Sequence, residues 1–195
     1  FSSALSGTYN SALMAKEEVM NEFPDADITI IDTKAASMGV GLIVYYAYEL
    51  LNKGASKEEI IKWVEDNIPH TVHFFTVDDL NHLKRGGRVS ATSAALGTLL
   101  AIKPVLHVND SGQLINISKA KGRKKAIKEL FENFEKHVVN PEGQVVFISH
   151  GDCLEETETL ANMIKEKYKV KDVILNPIGP AIGSHSGPGT IALFF

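Results

Sequence analysis

Apolar positions recur at three- and four-residue intervals over several long stretches of this chain, and short apolar runs separate them. Ala12, Ala15, Val19 and Phe23 share such a spacing, so Ser6 to Phe23 reads as a helix that Ser6 or Thr8 can cap. Ile28-Thr29-Ile30-Ile31, held between Asp27 and Asp32, reads as a short buried strand. A long apolar helix follows, from about Lys34 to Asn52, with Gly54 closing it. Ser56-Lys-Glu-Glu59 has the form of a capping box. The helix it starts ends near Pro69 and faces inward through Ile60, Ile61, Val64 and Ile68.

Thr71 to Val77 is β-rich, and Asp78 to Lys84 reads as a short helix running into Arg85-Gly86-Gly87-Arg88. Thr92 to Ala101 reads as a helix of small residues. Pro104 to Val108 and Gln113 to Ser118, joined by Asn109-Asp-Ser-Gly112, read as a hairpin. Arg123 to Val138 is amphipathic, with Ala126, Ile127, Leu130, Phe131, Phe134 and Val138 on one face. Val145 to Ser149 reads as a buried strand, and Asp152-x-x-Glu155 as the cap of a helix reaching about Tyr168. Val170 to Asn176 is a further strand, Gly179 to Gly189 a glycine-rich turn region, and Ile191 to Phe195 a last apolar strand.

The first part alternates strand and helix, as a parallel α/β unit does, and the second adds a hairpin, as α+β domains do. The boundary falls near His70. Residues 1–70 read as the remainder of an N-terminal α/β domain and residues 71–195 as a C-terminal domain with a mixed or antiparallel sheet. A helix beginning at Ser6 in a βα unit is fed by a strand, so Phe1 reads as the last residue of one. The chain is therefore expected to lack the first strands of its domain.

Composition narrows the class. The 195 residues are 44% apolar and 23% charged, ordinary for a globular protein. A net charge of −4 argues against a general polyanion binder. The single cysteine, Cys153, excludes a disulfide within the chain and fits a reducing, cytoplasmic setting. The longest apolar run, Gly39 to Tyr48, is well short of the ~20 residues of a membrane span.

Four stretches are candidates for chemistry. Ser2-Ser3-Ala-Leu-Ser6-Gly-Thr8 precedes a helix N-terminus, where unpaired N–H groups and hydroxyls suit a carboxylate or phosphate; plain capping is the other reading. Gly183-Ser-His185-Ser-Gly187 lets a backbone approach a ligand closely and offers an imidazole that can donate to an anion, or else bonds a loop carbonyl. It has the spacing of a nucleophile elbow, but histidine fills the nucleophile position. Lys84-Arg85-Gly86-Gly87-Arg88 puts arginines around a glycine pair, either an anion fork or a solvated turn. The basic run Lys119, Lys121, Arg123, Lys124 and Lys125 has no interleaved aromatics and reads as a solvated helix start rather than a nucleic-acid surface. No metal-ligand motif and no phosphate loop is present in the sequence.

Five stretches in order resemble the DegV family of fatty-acid-binding proteins: SSALSGTYNSA at 2–12, IDTKAASMGVG at 31–41, VDDLNHLKRGGRVS at 77–90, GTLLAIKPVLHVNDSGQL at 97–114 and GPAIGSHSGPGTIALFF at 179–195. The resemblance covers essentially the whole chain, but the family has a further N-terminal segment. It implies a two-domain α/β fold with a long acyl chain buried between the domains and no other cofactor. It implies that a separate fatty acid kinase subunit phosphorylates the bound carboxylate, with acyl phosphate remaining on the carrier. By this likeness Ser2 and Ser3 hold the carboxylate, His185 approaches it from the other domain, and Arg88 serves the kinase encounter or the phosphoryl group. Ser37 and Gly183 would belong to the pocket. A threonine contact would lie in the further segment. Peripheral membrane contact during lipid exchange fits the same picture.

The physics is consistent with these roles. A buried carboxylate needs several donors. A long acyl tail gains ~0.8 kcal/mol per buried CH2. The small and apolar stretches AASMGVGLIV and ATSAALGTLLAI would line its tunnel, or form ordinary core. The leading expectation is thus a non-enzymatic lipid carrier. The competing ones are a serine-dependent acyl hydrolase or transferase acting through Ser2, Ser3 or Ser6, and a small-anion or nucleotide-binding module.

Overall fold

A computed structural model of the chain describes residues 1–89 and 101–195. The small-residue helix expected over Thr92 to Ala101, and Ser90 with it, falls largely outside that description. Three helices come first: α1 (Thr8–Glu22), α2 (Met38–Asn52) and α3 (Lys57–Asn67). Then follow β1 (His73–Thr76), α4 (Leu80–Arg85), β2 (Ile102–Val108), β3 (Leu114–Lys121) and α5 (Arg123–His137). The chain ends with β4 (Val145–His150), α6 (Leu154–Lys167), β5 (Asp172–Pro177), α7 (Pro180–Ser186) and β6 (Ile191–Phe194).

The six strands form one mixed sheet in the order β3-β2-β1-β6-β4-β5. Only β4 and β5 pair in parallel; the other neighbours are antiparallel. Alternation along the strands splits the core in two. Phe74, Val146, Ile148, Ile191 and Leu193 face α5 and α6, meeting Ile127, Leu130, Phe134, Leu160 and Ile164. Phe75, Phe147, Ala192 and Phe194 face the opposite way, toward Leu42 of α2 and Leu80 and Leu83 of α4. Three layers result, with helices on both faces of the sheet. No described helix is long and apolar enough to cross a membrane.

Local signals explain several elements. Ser56 Oγ accepts from the Glu59 N–H and the Glu59 carboxylate accepts from the Ser56 N–H, so the capping box of α3 is formed. Gly54 turns the chain after α2 at φ 84°. The predicted face of α5 is buried from Ala126 to Phe134.

Other expectations are corrected. Residues 28–31 form no strand: a ladder needs a neighbour, and among the described residues none lies between 1 and 72. Ile31 packs instead into a small cluster with Ala35, Ile43 and Val64. The long helix starts at Met38 rather than Lys34, because Lys34 and Ser37 both have positive φ (48° and 53°) and break the helical path. Asp152 does not cap α6; its φ of 55° places it outside, and Cys153 takes the N-cap position. The glycine-rich stretch after residue 179 is not all turn, since α7 occupies Pro180–Ser186. The apolar face of α1 is not buried: none of its residues is, and Phe23 just beyond it is 57% exposed.

Candidate functional site

A cavity of about 400 Å³ lies on the α2/α4 face of the sheet. Its walls come from both ends of the sequence. The opening turn supplies Phe1, Leu5, Ser6 and Thr8, and the approach to α2 supplies Ala36 and Ser37. The sheet supplies His73, Phe75, Ser149, Ala192 and Phe194, and α7 supplies Ala181, Ile182, His185 and Ser186. Leu83 and Arg88 close the α4 side. The seam near residue 70, where the sequence suggests a division, is thus bridged by one cavity.

Three motifs distant in sequence meet at this cavity. The Arg88 guanidinium donates through Nε to the Leu5 carbonyl at 3.1 Å, tying the 86–88 loop to the opening turn. His185 of α7 rests on Gly86: a β-carbon added there would stand 2.3 Å from His185 Nδ1. In return Gly187 lies under the His82 ring, where a β-carbon would come within 2.6 Å of Cδ2. Gly187 also has φ 78°, which ends α7 and suits glycine alone. Glycines at these two points let α4 and α7 approach with a histidine from each.

Ser2 and Ser3 stand just outside the cavity lining. Ser2 is fully buried, and its hydroxyl donates to the Gly112 carbonyl at 2.8 Å. Its backbone N–H donates to the Ala35 carbonyl at 2.7 Å. Ser3 is exposed, and it holds a carboxylate: its N–H donates to Asp32 Oδ1 at 3.1 Å and its hydroxyl to Oδ2 at 2.5 Å. Partial burial pushes Asp32 up, but the bonds from Ser3 and the Lys34 N–H outweigh it and leave the carboxyl below its usual range. Ser37 lines the cavity and donates to Ser149 Oγ at 2.9 Å. Gly183 sits on α7 beside the lining residue Ile182 without lining the cavity itself.

A serine nucleophile needs a base within hydrogen-bond reach. Among the described residues no serine hydroxyl is bonded to a histidine; the partner of Ser3 is a carboxylate. Sequence reasoning missed four polar groups in the wall: Ser149, Ser186, Thr190 and His73. Strand alternation was the available signal for Ser149 and His73, each two residues from an inward Phe (Phe147 and Phe75).

The sequence model of the DegV family matches residues 1–195. The chain belongs to the DegV family. A DegV domain-containing protein of Clostridium perfringens is 60% identical over 195 residues, which are 100% of this chain and 67% of that protein. A DegV family protein of Thermus thermophilus, solved as a fatty-acid-binding protein, superposes with a TM-score of 0.89 at 33% identity, covering 100% of this chain and 68% of that one. A DegV family protein of Ruminococcus gnavus, refined with vaccenic acid, superposes with a TM-score of 0.93 at 27% identity, over 100% of this chain and 69% of that one. The mixed α/β architecture described above is therefore the DegV fold, and this chain spans about two thirds of the length of these relatives.

Proposed function

We propose that this protein carries a long-chain fatty acid, with the tail in the cavity at the junction of residues 1–70 and 71–195 and the carboxylate at its α4/α7 end. The observation that carries this reading is the convergence of the opening turn, the 86–88 loop and α7 on one cavity whose remaining wall is mostly apolar. Its volume of about 400 Å³ falls within the range of small-ligand pockets, ~300–1,000 Å³. The fatty acids in the Thermus and Ruminococcus relatives support the same ligand class.

The roles divide by chemistry. Leu5, Phe75, Leu83, Ile182 and Phe194 shield the tail from water. His185 supplies a donor at the α4/α7 end, Arg88 at the cavity edge serves the phosphoryl step, and the Ser2-Ser3 turn supplies donors once the head group displaces Asp32. That turn already grips one carboxylate, that of Asp32, with an N–H and an O–H. A fatty acid head group would take up donors of the same kind. The protein acts on this reading as a carrier rather than an enzyme, and it presents the acid to a separate fatty acid kinase subunit in the cytoplasm. The resemblance of the whole chain to acyl carriers of that system, and the position of Arg88 at the cavity edge, support that step.

Organic extraction of the purified full-length protein followed by mass spectrometry tests the reading. A co-purifying long-chain fatty acid, and binding of added oleate or palmitate that weakens in His185→Ala, are expected. No extracted fatty acid together with no binding of either added acid would overturn it.

A further inference from the structure

The cavity wall contains a polar group that a plain hydrocarbon tail cannot satisfy. His73 is 4% exposed, and among the described residues neither Nδ1 nor Nε2 has a hydrogen-bond partner. It is the first residue of β1, and its side chain points to the same face as Phe75, the face on which the cavity lies. Its ring packs edge-on against Phe194, the residue opposite it on β6, with centroids 5.7 Å apart. Both rings line the cavity.

His73 lies away from the head-group end. Thr76 pairs with Ile191, the residue at which the chain enters β6 from α7, whereas His73 pairs with Phe194 at the other end of the strand. Three residues of strand separate the two ends, roughly 10 Å. A fatty acid whose carboxylate stands at His185 therefore passes His73 with the middle of its chain.

We propose that the cavity is built for an acyl chain carrying a mid-chain hydroxyl, which His73 recognises by hydrogen bonding. This inference rests on the fatty-acid reading above and adds the substrate class. A neutral imidazole presents one N–H donor and one lone pair, and a hydroxyl can meet either. Burial favours that neutral ring, pushing the His73 pKa down to about 4, with the neighbouring His107 acting in the same direction. A saturated tail seated against His73 strands both nitrogens in an apolar wall, whereas a hydroxylated chain returns one bond for the hydroxyl it buries.

Affinities of the full-length protein for stearate and for monohydroxystearates, with the hydroxyl moved stepwise along the chain, test this. One mid-chain isomer is expected to bind about tenfold more tightly than stearate, the equivalent of one net hydrogen bond. In His73→Phe the preference is expected to reverse, since the hydroxyl then enters an apolar wall, while stearate binds at least as tightly as before. His73→Gln, which keeps a donor and an acceptor, is expected to retain part of the preference. The wild-type series stands without either variant. Equal binding of stearate and every isomer overturns the proposal and leaves the fatty-acid reading intact, as does a preference unchanged in His73→Phe. Failure to bind any acyl chain overturns the fatty-acid reading itself.

Discussion

His185 and Gly86 are in direct contact, the imidazole lying where a side chain on Gly86 would be: a β-carbon there would stand 2.3 Å from Nδ1 and 3.2 Å from Cγ. The backbone of Gly86 is an ordinary helical one, φ −74°, so the glycine is required by the neighbouring ring and not by its own torsions. The contact fixes the ring of α7 against the end of α4 and so sets where an imidazole N–H can point into the cavity. It also links two of the stretches on which the family resemblance rests, 77–90 and 179–195.

Gly86→Ala therefore displaces His185 without straining its own backbone. Overpacking of this kind costs ~1–3 kcal/mol. Fatty-acid affinity is expected to fall about tenfold or more, and the penalty to vanish when Gly86→Ala is combined with His185→Ala. A double-mutant cycle on binding measures this. Gly143→Ala, with open space around the added carbon and no positive φ, is the control. Additive losses from Gly86 and His185 would contradict the steric link.

The two opening serines are expected to separate by phenotype. Ser2→Ala leaves the buried Gly112 carbonyl without its 2.8 Å donor and unpins the opening turn from the β2–β3 hairpin. A loss of ~1–3 kcal/mol in stability is expected by chemical denaturation. Ser3→Ala removes a bond between exposed groups and is expected to change stability by less than ~1 kcal/mol while weakening carboxylate binding. Equal destabilisation by both would refute the distinction.

Arg88 contributes through its guanidinium to the Leu5 turn and lines the cavity edge. Arg88→Ala is expected to retain acyl binding while phosphorylation of the bound acid by the kinase subunit falls. Measuring both on one preparation decides it: parallel loss would assign Arg88 to holding the turn at Leu5 rather than to the kinase encounter.

His73 makes stability depend on pH. Its pKa is pushed down from 6.5 to about 4 by burial, with His107 adding to the effect. Between these values the unfolded chain takes up a proton that the folded one refuses, so stability falls as pH drops from 6.5 toward 4 and no further below it. The full loss from this group is on the order of 3 kcal/mol. His73→Phe is expected to flatten the pH dependence of Tm over this window. An unchanged slope in the variant would remove His73 as its source.

The amphipathic stripe of α5 and the capping box of α3 could be read from neighbouring residues alone, because both depend on interactions within a few positions. The hairpin turn at Asn109–Gly112 likewise announced itself. The strand expected at Ile28–Ile31 did not form, since apolar β-branched residues specify a strand only when another strand offers its N–H and C=O groups. For α7 the glycines misled. Pro180 at the first helical position and Gly187 at the C-cap are the usual ends of a helix, and they outweighed the weak helix propensity of what lies between.

By itself the sequence determined most of the helices and strands, the family, and the residue types at the candidate site, since these are set by short-range spacing and by motif order. Which of those residues share a cavity was decided only in three dimensions. Ser2 turned to Gly112, Ser3 to Asp32, and His185 to Gly86, each across a gap of some 30 to 110 positions that no periodicity encodes. The unpartnered ring of His73 belongs to the same class. Its chemistry follows from what surrounds it after the sheet has closed, and burial is a property of the packed chain rather than of any stretch of it.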